Sequence, residues 1–303
     1  MKKNTAWFWV AAVSVLLLAP NNTIIRIGVT HADPYYWIFV RSVSVLIVCL
    51  PFIVRDVKKI RTASKDLLVA ATTFTFAIIT YTIAIYLSQA SYVAIITLVT
   101  PILFVVISSY IFKEKISRRS VAGVSLAMAG AMVLIVLPIA MQQNAMVFYP
   151  LATVLALVQC VAYVFGTIYM RKANEDGVSM GAVIGTTALV TTLVSGGLYA
   201  AIGDHTQAPN NIGFWLAVVY SGVVATCLAR ALNVLSYEHI GVVPIAALTY
   251  LETFVAILIP VLVLGETLSP PMVIGGVLIL VGVYVVEHHK HPRSKHHYIN
   301  RGH

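Results

Sequence analysis

Charged side chains inside hydrophobic stretches are the residues of this chain best suited to do chemistry. Arg41, Arg230 and Glu252 each fall within a run of about 20 mostly apolar residues, long enough to cross a membrane as a helix. An ionisable group at that depth is costly unless it is paired or faces water. Two guanidinium groups against one carboxylate leave the interior net positive, and a guanidinium offers a planar fork that matches a carboxylate. The set indicates a binding site for an anionic or zwitterionic metabolite, of which an amino acid is the simplest.

Each of these three residues has a second interpretation. Arg41 lies about seven residues into its stretch and could instead extend toward the outer headgroups beside Asp33. Arg230 could extend toward the inner surface, form a structural pair with Glu252, or contact a substrate. Glu252 is too central for such extension, so it is interpreted as a substrate partner or as a group that binds and releases a proton.

Uncharged polar residues accompany the charged ones at similar depth. An interhelical hydrogen bond or a ligand contact would satisfy each of them. Asn21 and Asn22 directly follow Pro20, which frees a backbone carbonyl. Together these residues predict a polar central cavity: Asn21, Asn22, Tyr81, Gln159, Tyr163, Asn233 and Tyr250.

The elements that must position these side chains are membrane-spanning helices. The chain has 303 residues, of which 59% are hydrophobic and 10% charged, whereas soluble domains carry about 25% charged residues. A lone span must satisfy its own backbone hydrogen bonds in lipid, which makes each span helical. The predicted fold is an all-α integral membrane protein with ten transmembrane helices, at 7–26, 34–54, 66–86, 91–112, 118–137, 148–170, 179–202, 212–236, 242–264 and 270–287.

The basic residues predict the orientation of these spans. With the N-terminus in the cytoplasm, seventeen of the twenty lysines and arginines lie on the inner side. Such a bias is typical of cytoplasmic loops, so we expect a bacterial inner-membrane protein with both termini cytoplasmic. Arg26, Arg41 and Arg230 are the three that this bias does not explain.

An internal duplication is visible without gaps. Residues 114–130 and 266–282 match at Glu114/Glu266, Ser117/Ser269, Val121/Val273, Gly123/Gly275, Leu126/Leu278 and Gly130/Gly282. Each half then holds five spans, and because five is odd the second half is inverted. Inverted repeats are typical of alternating-access transporters, although duplication could also have built only a larger bundle. We predict a first repeat at 1–143, a second at 144–287 and a cytoplasmic tail rich in His, Lys and Arg at 288–303.

Several residues are predicted to have structural roles. Glycines seven residues apart in the fifth and tenth spans indicate close helix packing or a dimer face, and Gly181 and Gly185 fit the same small-residue pattern. Glu114 and Glu266, at span ends, are expected to cap helices or pair with basic residues. Cys49, Cys160 and Cys227 have no disulfide or zinc spacing and are expected to be buried free thiols.

This pattern resembles the EamA-like family of the drug/metabolite transporter superfamily over residues 7–287. The residues that carry the resemblance are Pro34 followed by Arg41, the segment AIITLVTP at 94–101 leading to Glu114, and the segment AALTYLE at 246–252 leading to Gly265 and Glu266. The family often has Glu-Pro in its ninth span, where this chain has Glu252 followed by Thr253. The resemblance implies ten spans in two five-helix halves and the export or import of small metabolites, often amino acids and sometimes drugs.

The predicted function is secondary transport of a small polar metabolite, an amino acid or related carboxylate, by alternating access. A proton-coupled exporter of lipophilic cations is an alternative that would use Glu252, and a non-transporting scaffold or receptor is another. No Walker loop, nucleophile–base set, metal spacing or cofactor fingerprint occurs, so we expect neither an enzyme nor a cofactor. Expected partners are the substrate, membrane lipid and a coupling proton or counter-substrate, with no nucleic acid, in a monomer or homodimer.

Overall fold

The computed structural model describes residues 2–100, 149–205, 211–237 and 242–287, residue 209, and short stretches between 102 and 133. All regular elements in this part of the chain are helical. Glu114, Pro101 and the 288–303 tail lie outside the described residues, as does half of the predicted fifth span. In chain order the elements are α1 (Lys2–Leu18), α2 (Asn21–His31), α3 (Pro34–Arg55), α4 (Val57–Thr62), α5 (Ser64–Leu87), α6 (Ala90–Thr97), α7 (Pro150–Glu175), α8 (Met180–Ile202), α9 (Ile212–Val219), a π-helical segment (Tyr220–Ala229), α10 (Arg230–Tyr237), α11 (Val242–Leu264) and α12 (Pro270–Glu287).

Six helical stretches in the described residues are long and apolar enough to cross a membrane. They are Ala6–His31, Pro34–Arg55, Ser64–Leu87, Pro150–Glu175, Met180–Ile202 and Ile212–Leu232. Large apolar side chains on their outward faces, such as Ile47 and Leu193, are 67% and 68% exposed. Exposed apolar faces of this extent suit contact with lipid. Shorter apolar helices at Val121–Gly130, Phe254–Leu264 and Pro270–Gly282 fall within three further predicted spans.

Three of the predicted spans depart from a regular α-helix. The first breaks at Ala19 and Pro20, because proline lacks an N–H and its ring clashes with the preceding turn. In the fourth, α6 ends at Thr97, and the next two amides bond to carbonyls only three residues back, at 3.2 and 3.1 Å. The eighth contains the π-helical segment at Tyr220–Ala229, a form often found at functional sites.

Helices α3 and α8 run antiparallel, since their opposite ends meet. At one end the Asp33 carboxylate accepts a hydrogen bond from the backbone N–H of Asp204 at 3.1 Å, and at the other the Asp56 carboxylate accepts one from Ser179 N–H at 2.9 Å. Between these ends the helices approach closely, as the small-residue pattern predicted. A Cβ atom at Gly185 would lie only 2.8 Å from the Cβ of Cys49.

The glycines of the predicted fifth and tenth spans face each other within one chain. A Cβ atom at Gly130 would lie 2.7 Å from the carbonyl oxygen of Gly275 and 2.9 Å from Ile279. At this point the glycine surface is an internal helix contact, in agreement with the close-packing interpretation.

Replacing Asp56 with asparagine is expected to remove a pH-dependent part of the stability. Asp56 lies outside the membrane-spanning helices, and hydrogen bonds from Ser179, with the positive charges of Lys59 and Arg55 nearby, hold the pKa of its carboxyl below the usual value. Because the folded-state pKa is lowered, the carboxylate stabilises the fold above the unfolded-state pKa of about 3.9, and this stabilisation is lost as pH falls through the folded-state pKa.

Thermal unfolding in detergent across acidic and neutral pH measures this effect. The difference between wild type and Asp56→Asn should be largest near neutrality and should shrink toward zero in acid. A difference that stayed constant with pH would show that the carboxylate charge does not contribute.

Candidate functional site

The three charged residues singled out in the sequence converge in one cluster. Arg41 on α3 interacts electrostatically with Arg230 on α10 and with Tyr81 on α5. Tyr81 interacts in turn with Glu252 on α11, and Glu252 with Arg230. All four side chains are partly buried. Residues separated by up to about two thirds of the chain therefore form a single charged site.

The guanidinium of Arg41 points into the protein and not toward the headgroups. Its Nη2 donates a hydrogen bond to Oγ1 of Thr226 in the π-helical segment, at 2.9 Å. The Thr226 hydroxyl donates in turn to the carbonyl oxygen of Ser221, five residues back, at 2.8 Å. Asp33 is used elsewhere, since its carboxylate caps α3 through the N–H groups of Tyr35 and Tyr36. The alternative in which Arg41 extends outward beside Asp33 is therefore wrong.

One donor of Arg41 remains unused. Its Nε is buried and has no hydrogen-bond partner in the described part of the chain. A buried donor without a partner costs about 1–3 kcal/mol. Such a group is well placed to bind an acceptor brought by a ligand.

Arg230 and Glu252 are near each other without forming a direct ion pair. Their charges interact, but within the described residues no N–O distance between them is as short as 4.0 Å. The guanidinium carbon of Arg230 lies 5.9 Å from the ring centroid of Tyr163, whose other neighbour is the ring of Phe74 at 5.2 Å. Arg230 and Glu252, which were predicted to meet, thus approach each other without forming an ion pair. The aromatic ring of Tyr163 partly stabilises the positive charge of Arg230.

The break at Pro20 directs two amides into the same region. Asn21 Oδ1 accepts a hydrogen bond from the Ser221 hydroxyl at 2.7 Å, and Asn22 Oδ1 accepts one from the hydroxyl of Tyr81. Both bonds link separate spans, so the interhelical hydrogen-bond interpretation is confirmed for these residues. Since Ser221 and Thr226 belong to the π-helical segment, that segment connects α2 and α3.

Three residues of the predicted site remain, Gln159, Asn233 and Tyr250. Gln159 is 8% exposed, and its Oε1 accepts a bond from Cys160 Sγ at 3.5 Å. The side chains of Asn233 and Tyr250 lie outside the described residues. Among the described residues, no group of three or more His, Cys, Asp or Glu side chains is arranged to hold a metal ion.

Two features of the site were missed in the sequence. Thr226 is the partner of Arg41, and its spacing of four residues from Arg230 was an available sign that both lie on one helix face. The thiols of Cys49 and Cys227 lie 3.8 Å apart and join α3 to the π-helical segment. No spacing rule relates those two cysteines, because they are far apart along the chain.

Glu266 caps the N-terminus of α6. Its two carboxylate oxygens accept bonds from the N–H groups of Ala90 and Ser91, both at 2.8 Å, and from the Ser91 hydroxyl at 2.5 Å. The capping role predicted for Glu266 is confirmed. Glu266 also lines the larger of the two described cavities, of about 350 Å³; Asp33 lines the other, of about 240 Å³, and Arg26 lines both.

Comparison with known proteins agrees with this architecture. The model of the EamA-like transporter family matches the chain twice, at residues 5–136 and 150–287. The chain is 24% identical over 282 residues to the "Probable amino-acid metabolite efflux pump" of Salmonella typhimurium, covering 91% of this chain and 93% of that protein. It is 25% identical over 199 residues to the "Uncharacterized transporter YcxC" of Bacillus subtilis, covering 65% and 64% of the two chains.

A solved crystal structure shares the fold at 18% identity and a TM-score of 0.64, covering 93% of this chain and 96% of that one. The paired family matches extend over most of the chain, and the apolar helices are those of a multi-pass membrane protein. This chain belongs to the EamA-like transporter family.

Proposed function

We propose that this protein is a secondary transporter that moves a small carboxylate-bearing metabolite, most simply an amino acid, across the bacterial inner membrane. The observation that carries the proposal is the buried Nε of Arg41 in the charged cluster, which has no hydrogen-bond partner among the residues that the structure describes. A ligand carboxylate at that position would satisfy the donor and add a charge-assisted bond to a planar guanidinium.

The charge of the cluster supports a zwitterionic ligand. Arg41 and Arg230 against Glu252 give one net positive charge, which a ligand carboxylate neutralises. The gap between Arg230 and Glu252 leaves the Glu252 carboxylate able to bind a ligand ammonium group. Lipophilic cations would meet two arginines, so the electrostatics oppose the alternative of a cation exporter. The name of the Salmonella relative, an amino-acid metabolite efflux pump, is in accord.

The mechanism we propose is alternating access by two inverted five-helix halves, at 1–143 and 144–287, which together make ten spans. Support comes from the two successive family matches, the antiparallel pairing of α3 with α8, and the helix breaks beside the charged cluster. Discontinuous helices at the repeat interface are typical of transporter binding sites. The basic residues support cytoplasmic termini.

The test is counterflow of radiolabelled amino acids into proteoliposomes that contain the purified protein. We expect flux for carboxylate substrates, none for their α-amides, and a marked loss in Glu252→Gln. Flux of lipophilic cations alone would support the drug-exporter alternative. Ligand binding with no flux of any compound would indicate a receptor or scaffold and overturn the proposal.

Oxidative cross-linking of Cys49 to Cys227 is expected to arrest transport. These thiols, 3.8 Å apart, join α3 of one proposed half to the π-helical segment of the other, so a disulfide would hold the halves together. Counterflow after treatment with copper phenanthroline should be lost and should return after reduction. Cys160 has a different neighbour, Gln159, so Cys160→Ser should remain sensitive, whereas Cys49→Ser should become resistant. Equal inhibition of Cys49→Ser would contradict the expectation.

A further inference from the structure

Arg26 is the arginine that neither the inner charge bias nor the central cluster explains. It lies in α2, and its Nη1 donates hydrogen bonds to the carbonyl oxygens of Ile85 and Tyr86, both at 2.8 Å. These carbonyls belong to the last turn of α5, where a helix carries partial negative charge. The guanidinium is therefore held in place by one of its nitrogens. Within the described part of the chain, neither Nε nor Nη2 of Arg26 takes part in a hydrogen bond.

Arg26 lines both of the described cavities, which lie on the predicted outer side. The larger cavity, of about 350 Å³, is lined by Arg26, Ile27, Thr30, Gln89, Tyr149, Leu264, Gly265 and Glu266. Its volume falls at the small end of the range of small-molecule sites, about 300–1,000 Å³. The charge of Arg26 also acts on Tyr149, which lines the same cavity. The residues that line the cavity thus include a fixed cation, a phenol, an amide, a hydroxyl and the Glu266 carboxylate, around a space of metabolite size.

Of the acidic residues that line the two cavities with Arg26, Glu266 and Asp33 have carboxylates occupied by helix capping, and Asp204 lines only the smaller cavity. Glu266 uses both carboxylate oxygens on the N-terminus of α6, and Asp33 caps α3 and accepts a bond from Asp204 N–H. They do not form ion pairs within 4.0 Å with Arg26 in the described residues. The predicted outer loops contain no lysine or arginine, so Arg26 is the fixed cation that an anionic group meets on that side.

We propose that the larger outer cavity is a second binding site for the carboxylate of the transported metabolite, with Arg26 as its anchor and Tyr149 and Gln89 as further polar contacts. This inference rests on the proposed function for the identity of the ligand. Arg26 and Gln89 come from the first proposed half, whereas Tyr149 and the 264–266 segment come from the second. A ligand held there bridges the halves at the outer rim, where it is captured before entry or held before release.

Chemical modification of Arg26 tests the site without requiring transport. The purified full-length protein in detergent is treated with 4-hydroxyphenylglyoxal, and the rate of modification of each arginine is followed by peptide mass spectrometry. The probes are a mixture of the proteinogenic L-amino acids and the same mixture as α-amides. By mass action, carboxylate probes at a few times their Kd should slow modification at Arg26 by about fivefold, while the amides should not.

The Arg41→Gln variant separates the outer site from the central one. Protection of Arg26 that persists in this variant supports an independent outer site. Protection that disappears with Arg41→Gln, or is absent in the wild type, overturns the inference. Counterflow by the same purified protein in proteoliposomes tests the proposed transport function separately. Flux without protection of Arg26 would overturn only the outer site.

The second measurement is the inhibition of counterflow by amino acids added outside the proteoliposomes. In Arg26→Gln the concentration needed for half-maximal inhibition should rise about tenfold, because the substitution removes a charge-assisted carboxylate contact. Arg26→Lys, which keeps the positive charge but not the planar guanidinium fork, should restore this inhibition only in part. Unchanged inhibition in both variants would also overturn the inference.

Discussion

Arg41→Gln is expected to abolish amino-acid counterflow, with a loss of about a hundredfold or more. The substitution removes the charge, the buried Nε donor and the fork that we assign to the substrate carboxylate. Bonds to a charged group contribute about 1.5–3 kcal/mol each, so losing two of them corresponds to at least this factor. Arg41→Lys should recover little, because an ammonium cannot bind a carboxylate in two places from the same position.

The matched control is Arg61→Gln, which removes an exposed arginine from α4, outside the membrane-spanning helices. It should transport like the wild type. Initial rates over a range of substrate concentrations would measure both variants, with thermal unfolding to confirm that each is folded. Normal counterflow by a folded Arg41→Gln protein would contradict the role assigned to this residue.

The partner of Arg41 allows a finer version of the same test. Thr226→Val keeps the shape of the side chain but removes the hydroxyl that accepts from Nη2 at 2.9 Å. Since a hydrogen bond to a charged group is lost, we expect the half-saturation concentration to rise about tenfold, and Thr226→Ser to restore it. A change confined to the maximal rate would indicate that Thr226 acts on conformational change and not on the orientation of Arg41.

Gly222→Val is expected to eliminate transport and to lower the unfolding temperature. A Cβ atom at Gly222 would lie 3.0 Å from the carbonyl oxygen of Arg41 and would collide with the side chain of Ser44. Overpacking a close helix contact costs about 1–3 kcal/mol. Here it would also push α3 away from the π-helical segment, which separates Arg41 from Thr226.

Gly197→Val is the matched control for this substitution. Gly197 is an exposed helical glycine of α8, and a Cβ atom there would meet no atom of the described residues within 4 Å. Counterflow and thermal unfolding of the two variants would be compared in the same detergent and lipid. If Gly222→Val transported as well as Gly197→Val, the close approach of α3 to the π-helical segment would not be required for function.

The sequence by itself determined the class of the protein and most of its chemically important residues. Apolar runs of membrane length and the rarity of charge within them are local properties, which is why Arg41, Arg230 and Glu252 could be selected without coordinates. Its position at a span end led us to expect that Glu266 caps a helix or pairs with a basic residue; that it caps α6, 176 residues away in the chain, came from the structure. The count of ten spans stays a prediction, since the described residues contain six long spans and shorter apolar helices.

Only the tertiary structure decided which of these groups meet. Arg41 and Thr226 are 185 residues apart in the chain, and their hydrogen bond depends on how α3 packs against the π-helical segment. The sequence pattern did not predict the π-helical form of that segment. The approach of Arg230 to Glu252 without an ion pair, and the contribution of Arg26 to the lining of two cavities, depend on the same kind of packing. Hydrophobicity indicates that a helix lies in the membrane, but it does not indicate the rotation of the helix or its neighbours, because lipid contacts every apolar face almost equally well. Close packing between helices determines that rotation and those neighbours.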